Sequence, residues 1–295
     1  MKMTIGTLLE EGKEKLEKAG VPDPLLDARF LLLDVFDMNF ASFLVKRDRP
    51  LIEDTKEIKA DPDTLKKIET YRELIKRREL RIPLQQLTGV QEFMGLEFYV
   101  NEHVLIPRQD TETLVELVLN EHKEKNISLL DVCTGSGCIA ISLAKLGGYT
   151  DVTALDLSEE ALKVARSNGE KLLDQPITFI KSDMFSALEP GKQYDVIVSN
   201  PPYIPSQVIE GLELEVKDHE PRMALDGEPD GLKFYRILAE EGRKYLKTGG
   251  NIYMEIGWDQ AKDVTEIFET MGFKGLRTVR DMAGNDRVVC ARKEK

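Results

Sequence analysis

The chain has 295 residues, 41% hydrophobic and 32% charged, with a formal net charge of −12. No run of about 18 apolar residues is present, so no transmembrane helix is expected, and Met1-Lys2-Met3-Thr4-Ile5-Gly6 does not open into a signal-peptide apolar core. Cys133, Cys138 and Cys290 lack C-x-x-C spacing and the three histidines do not cluster, which speaks against disulfides and a metal site and for a cytoplasmic, metal-independent protein, expected as a monomer.

The first 85 residues read as helices. Thr4 can cap a helix bearing Ile5, Leu8, Leu9 and Leu16, ending at Gly20. Asp23-Pro24 opens a second, with Leu25, Leu26, Ala28, Leu31, Leu32 and Val35 on one side. A third covers 61–80, with Leu65, Ile68, Tyr71, Leu74 and Ile75 at helical spacing. Arg72, Lys76, Arg77, Arg78 and Arg81 give this region a basic end, read as a solvated helix face, with a partner site as the alternative. Residues 86–110 read as a linker with a β-hairpin, carried by Phe93, Leu96, Phe98, Val100 and Val104 with Gly95 and Asn101 as punctuation.

From 111 to 295 the pattern alternates. Helices are expected at 111–124, 137–147, 158–170, 230–246 and 259–271. Strands are expected at 127–132, before Asp156, around 177–180, at 194–199, at 251–255 and, as a closing pair, at 275–280 and 286–291. Such alternation implies an α/β domain whose mainly parallel sheet carries helices on both faces. Charge divides unevenly. Residues 1–85 hold 17 basic and 17 acidic side chains, and residues 86–295 hold 24 and 36. A broad duplex-binding surface needs many phosphate contacts, so an acidic alternating region disfavours a stable nucleic-acid partner.

Four strand ends carry the chemistry. Asp131-Val132-Cys133-Thr134-Gly135-Ser136-Gly137-Cys138 joins a strand to its helix, where glycines allow close backbone approach and a helix start offers free N–H groups. The third glycine of a dinucleotide fingerprint is missing, and so is the Gly-Lys-Ser/Thr ending of a P-loop. Asp156, followed by Leu157, can take the two hydroxyls of a ribose. Asp183 can accept from an exocyclic amine, with Met184 and Phe185 packing on the ring. Singly, each aspartate could cap a helix; at successive strand ends capping is a poor account of all of them. The fourth strand end is Asn200-Pro201-Pro202-Tyr203. Two prolines cannot continue a strand, so the chain leaves the sheet there stiff and extended. A carboxamide oxygen, a backbone carbonyl and an aromatic face can together grip a planar group bearing NH2. The bland alternative is a proline-stiffened loop.

These segments together resemble the class I methyltransferases, and more closely the HemK-type protein-(glutamine-N5) methyltransferases. The resemblance extends to Pro83-Leu84-Gln85-Gln86-Leu87-Thr88-Gly89, Glu92-Phe93-Met94-Gly95-Leu96, Val104-Leu105-Ile106-Pro107-Arg108-Gln109-Asp110-Thr111-Glu112 and Glu220-Pro221-Arg222-Met223-Ala224-Leu225-Asp226-Gly227. It is clear over residues 80–290 and looser in the N-terminal helices. It departs at Gln109-Asp110, where the family has Pro-Glu, and at Met184, where relatives often carry tryptophan.

The resemblance implies a Rossmann-like seven-stranded mixed sheet behind a helical substrate-recognition domain. It implies S-adenosylmethionine as methyl donor, leaving as S-adenosylhomocysteine, held by Asp131, Cys133, Thr134, Gly135, Ser136, Gly137, Asp156, Leu157, Asp183, Met184 and Asn200. It implies catalysis and substrate binding by Asn200, Pro201, Pro202 and Tyr203 on the Gly-Gly-Gln glutamine of peptide chain release factors. A ribosomal-protein glutamine and the exocyclic amines of nucleic-acid bases, such as adenine N6, are the alternatives. Arg108 and Glu112 are candidates for lining the methionine end, with a surface ion pair as the alternative. Glu220, Arg222 and Asp226 are candidates for the substrate channel or for a charged loop staple. His219 is read as a loop residue, and Tyr253 and Trp258 as packing around the last strands.

Overall fold

The computed structural model describes residues 3–52 and 61–294; residues 1–2, 53–60 and 295, which fall within the expected domain ranges, lie outside it. The chain divides into two compact units, residues 3–52, 61–89 and 214–219 among the described ones, and the remainder from Val90 onward.

The first unit is built from α1 (Ile5–Lys18), α2 (Pro24–Val35), α3 (Phe40–Lys46), α4 (Pro62–Glu79) and α5 (Leu84–Thr88), with a small pair β1 (Met3–Thr4) and β2 (Pro50–Ile52). Thr4 caps α1 by accepting from the Thr7 N–H, and Pro24 and Pro62 occupy first turns, where a missing N–H costs nothing. Its core is Leu8, Leu9, Leu16, Ala28, Leu31, Leu32, Ile68, Tyr71 and Ile75. Leu25, Leu26 and Leu65, expected in this core, are exposed because they sit in the first turns of their helices, ahead of the buried stripe. The basic end of α4 is not a solvated face throughout. Arg78 is buried, with its Nε on Asp27 Oδ2 (2.7 Å) and its Nη2 on Glu215 Oε1 (2.8 Å). Arg81 adds a two-pronged grip on Glu215 at 2.7 and 2.6 Å, and Arg72 holds Glu11 at 2.8 Å. A long-range carboxylate partner leaves no periodic signal, which is why the basic run looked solvent-facing. α3 was not expected; Asn39 caps it, but it buries only Phe43.

The second unit opens with the hairpin β3 (Val90–Phe93) and β4 (Leu96–Tyr99). There follow α6 (Gln109–Glu121), β5 (Ser128–Val132), α7 (Cys138–Gly147), β6 (Asp151–Asp156), α8 (Glu159–Leu172), β7 (Thr178–Lys181) and β8 (Tyr194–Ser199). Three short helices, α9 (Ser206–Ile209), α10 (Leu214–Lys217, in the first unit) and α11 (Arg222–Leu225), precede α12 (Lys233–Glu240), α13 (Gly242–Tyr245), β9 (Leu246–Glu255), α14 (Ala261–Thr270), β10 (Lys274–Arg280) and β11 (Asp286–Arg292).

The seven-stranded sheet runs β10-β11-β9-β8-β5-β6-β7, with β11 antiparallel to both its neighbours and the other pairs parallel. This is the mixed Rossmann-like sheet expected, and strand order reverses between β5 and β8. Apolar clusters pack both faces, one around Leu129, Ile141 and Val196, the other around Leu130, Ile197 and Phe268. The helix expected at 230–246 is two pieces, α12 and α13, parted at Glu241. β9 starts at Leu246 rather than 251, because Gly249 at φ +83° and the following residues are taken up as an irregularity between the Tyr194–Leu246 and Val196–Asn251 pairs. Tyr253 is buried as expected, whereas Trp258 is 68% exposed and packs no strand.

Candidate active site

The reversal of strand order between β5 and β8 opens a crevice at the carboxyl ends of the strands, where open α/β sheets bind ligands. A cleft of about 430 Å³ lies there, within the range of small-molecule sites. Of the residues singled out from the sequence, Cys133, Thr134, Gly135, Ser136, Asp156, Leu157, Asp183, Met184, Asn200 and Pro202 line it. Asp131, Gly137, Pro201 and Tyr203 do not.

Asp131 supports the glycine loop from beneath. It is fully buried, and its Oδ2 accepts from Thr134 Oγ1 at 2.6 Å. Burial pushes its carboxyl up to about 7, against the opposing effect of the bond from the Thr134 side chain. Its Oδ1 is buried with no hydrogen-bond partner among the described residues. Above it the backbone takes positive φ at Cys133 (65°), Gly135 (55°) and Gly137 (81°). The two glycines do different work. A Cβ on Gly137 would lie 2.8 Å from Ile141 Cδ1 and 3.2 Å from Ala165 Cβ, so this glycine lets α7 pack on α8. A Cβ on Gly135 would meet nothing within 4 Å, because Gly135 faces open cleft.

Asp156 ties this loop to the next strand end. Its Oδ2 accepts from the Gly135 N–H and its Oδ1 from the Ser158 N–H, both at 2.8 Å. Burial nonetheless raises its carboxyl above the usual range. Ser158 caps α8 through the Ala161 N–H. Asp183 is exposed at the rim, while Met184, at φ +48°, is buried with its sulfur 3.8 Å from Cys133 Sγ. Phe234 also lines the cleft and had no distinguishing signal in the sequence.

The proline loop is held from behind. Tyr203 O accepts from Gln260 Nε2 at 3.0 Å, and Ile204 exchanges backbone bonds with Leu225 and Gly227 (3.0 and 2.9 Å). A Cβ on Gly231, at φ +72°, would stand 2.4 Å from Tyr203 O, so the loop's position depends on that glycine. Asn200 lies at the cleft with its Nδ2 3.4 Å from Thr111 Oγ1. Tyr203 turns its hydroxyl to Glu255 Oε1 (3.3 Å).

Arg108 lines the cleft and holds Glu220 through both carboxylate oxygens, at 2.6 and 2.8 Å. Glu220 is buried, and burial raises its carboxyl although Arg108 pulls the other way. Glu112 does not line the cleft; it accepts the Met94 N–H (2.6 Å) at the tip of the hairpin, where φ is positive at Met94 and Gly95. Of the substrate-channel candidates, Arg222 and Asp226 line the cleft and Glu220 does not; Arg222 pairs with Glu210 and Asp226, and Asp226 also accepts from Ser206 Oγ (2.6 Å). His219, in the first unit, bonds Leu80 O (2.9 Å). At the family departure, Asp110 meets Arg287 at 3.1 Å.

Comparison with known proteins decides the family. The chain is 40% identical over 291 residues to a release factor glutamine methyltransferase of Fusobacterium nucleatum, covering 97% of this chain and 78% of that one. It is 38% identical to another from Clostridium botulinum, covering 99% of this chain and 100% of that one. The chain belongs to the release factor glutamine methyltransferase family. Within it, the model of the PrmC N-terminal domain matches residues 7–89, and that of the methyltransferase small domain matches residues 109–212. A solved methyltransferase from Pyrococcus furiosus shares the fold at 18% identity, with a TM-score of 0.52, covering 75% of this chain and 99% of that one. As a release factor glutamine methyltransferase, the chain has its glycine loop and its Asn-Pro-Pro-Tyr loop on β5 and β8, the two strands that flank the reversal.

Proposed function

We propose that this protein transfers the methyl group of S-adenosylmethionine to the side-chain amide nitrogen of the glutamine in the Gly-Gly-Gln motif of a peptide chain release factor. The observation that carries the reading is Asn200, which stands at the cleft mouth of β8 beside the glycine loop of β5. The residues present fit such a donor. The cleft is large enough for a nucleoside with an amino-acid tail, and Gly135 leaves it open where a side chain would intrude. Asp156 would take the ribose and Asp183 the adenine amine. Leu157, Met184 and Phe234 would pack the ring, and the loop Cys133–Gly137, resting on Asp131, would face the methionine end.

Bound there, the sulfonium supplies an electrophilic methyl carbon. The chain's own task is orientation, because an amide nitrogen has a delocalised lone pair and is a poor nucleophile. The Asn200 carboxamide oxygen and the Pro201 carbonyl accept the two amide protons of the substrate glutamine. That hold directs the nitrogen lone pair at the methyl carbon and stabilises the positive charge developing on nitrogen. Tyr203, below the loop, and Pro202, at the cleft, keep the clamp stiff. The substrate proton leaves to water after transfer. The first unit serves as the recognition domain for the release factor, residues 86–110 link it to the methyltransferase domain, and the enzyme works as a cytoplasmic monomer without a stable nucleic-acid partner.

Radiolabelled S-adenosylmethionine offered in parallel to a release factor, ribosomal proteins, DNA and RNA tests this. Label is expected in the release factor. Label in nucleic acid or a ribosomal protein, with none in the release factor, would overturn the substrate assignment.

A further inference from the structure

Pro201 and Pro202 have no N–H, so the Asn-Pro-Pro-Tyr loop offers few backbone atoms by which it can be held. One of them is the Tyr203 carbonyl, and a side chain holds it. Gln260, buried between β9 and α14, donates from its Nε2 to Tyr203 O (3.0 Å) and to Gly231 O (3.3 Å). Its Oε1 accepts the Gly257 N–H (2.9 Å), and its own N–H bonds Gly257 O (3.0 Å). This carboxamide has one orientation open to it. A backbone N–H only donates and a carbonyl only accepts, so turning it round would set NH2 against N–H and oxygen against two carbonyls. Three glycines keep the place clear. A Cβ on Gly257 would stand 2.9 Å from Gln260 Oε1, one on Gly231 would stand 2.7 Å from its Nε2, and one on Gly227 would stand 2.8 Å from both Tyr203 Cα and Gly231 Cα.

The two carbonyls belong to different walls of the site. Tyr203 ends the amide clamp. Gly231 lies between Glu228 and Phe234, which both line the cleft, and Phe234 is assigned above to the adenine ring. Gln260 itself does not line the cleft. We infer that Gln260 is a positioning residue for methyl transfer, which fixes the clamp relative to the donor by joining Tyr203 O to Gly231 O through one NH2. The inference rests on the functional reading above. An amide nitrogen reacts only when its lone pair is aligned with the methyl carbon, and a displacement of about 1 Å can cost about 10²-fold in rate. A hydrogen-bonded carboxamide suits this task better than apolar packing, because its bonds set direction as well as distance. Without the NH2 both carbonyls lose that donor. The loop can then shift while the core beside it, around Ile256 and Val264, stays packed.

The test compares wild type with Gln260→Met and Gln260→Glu, each also placed in an Asn200→Ala background. Gln260→Met keeps the length without a donor, and Gln260→Glu keeps the shape but supplies at most one proton for two carbonyls. S-adenosylmethionine affinity within about threefold of wild type, with a cooperative thermal unfolding transition, shows that a variant is folded. Each substitution is expected to lower kcat on a release factor, read by single-turnover transfer, about 10- to 100-fold, with KM within about threefold. In the Asn200→Ala background the same substitutions are expected to lower kcat by less than about threefold further, since the clamp that Gln260 aligns has lost its carboxamide. Folded variants with near-wild-type kcat, or with the same loss in both backgrounds, would overturn the inference, because a merely structural role acts whether or not Asn200 is present. Failure of the wild-type protein to methylate the release factor would instead overturn the functional reading, and this inference with it.

Discussion

The loops that follow β5 and β8 are neighbours on one sheet edge, yet they are made in opposite ways. The loop after β5 is defined by what it lacks. Gly135 presents bare backbone to the cleft, and the one carboxylate beneath it, Asp131, does not reach the cleft at all. The loop after β8 is defined by what surrounds it. Its prolines have no N–H to contribute, so Gln260, Gly231, Thr111 and Glu255 must hold it from outside. The contrast matches their tasks. A cofactor loop must yield space to a large ligand, whereas an amide clamp must keep a few polar atoms fixed in direction.

The largest separation of the two loops should come from Asn200→Ala. On the account above it lowers kcat about 10²- to 10³-fold while S-adenosylmethionine still binds within a few-fold, read by single-turnover transfer beside titration calorimetry. Gly231→Ala should act on the same loop through its backbone. Positive φ and a 2.4 Å clash with Tyr203 O combine, so a loss of about 2–4 kcal/mol in unfolding free energy is expected along with lower kcat. Gly135→Ala makes the opposite case. Only the φ penalty of about 1–2 kcal/mol applies, and the added methyl enters the cleft, so donor affinity should fall more than kcat.

An effect on stability alone, with none on catalysis, lies away from both loops, in the first unit. Burial alone would raise the Glu215 carboxyl, but bonds from Arg81 and Arg78 outweigh it and bring it down from 4.5 to about 2. A depressed carboxyl stabilises the fold fully above its unfolded pKa, and that contribution is lost as pH falls through its folded value. Glu215→Gln should therefore cost about 2 kcal/mol at neutral pH. The gap from wild type, followed by thermal unfolding, should narrow from about pH 4.5 downward.

Elements with local signals were legible in the sequence. Thr4 and Pro24 mark helix starts, and Gly135 and Gly137 mark a strand-to-helix turn, because caps and glycines act within a few residues. Pairings between distant residues were not legible. Arg78 looked solvated because its partners Asp27 and Glu215 are 51 and 137 positions away. Glu255 read as an ordinary strand residue, since the tyrosine it supports lies 52 positions earlier. Trp258 was expected in the packing around the last strands, but it lies in the turn after β9 and stays exposed. Residues 214–219 offered no hint in composition that they would join the first unit.

The central claim is that the β8 loop grips a glutamine amide. Peptide mapping by mass spectrometry of a release factor, after incubation with this protein and S-adenosylmethionine, tests it most directly. The account predicts one added methyl group, on the side-chain nitrogen of the Gly-Gly-Gln glutamine, and a yield about 10²- to 10³-fold lower from Asn200→Ala over the same initial-rate period. A methyl group on any other residue, or an equal yield from Asn200→Ala, would contradict it.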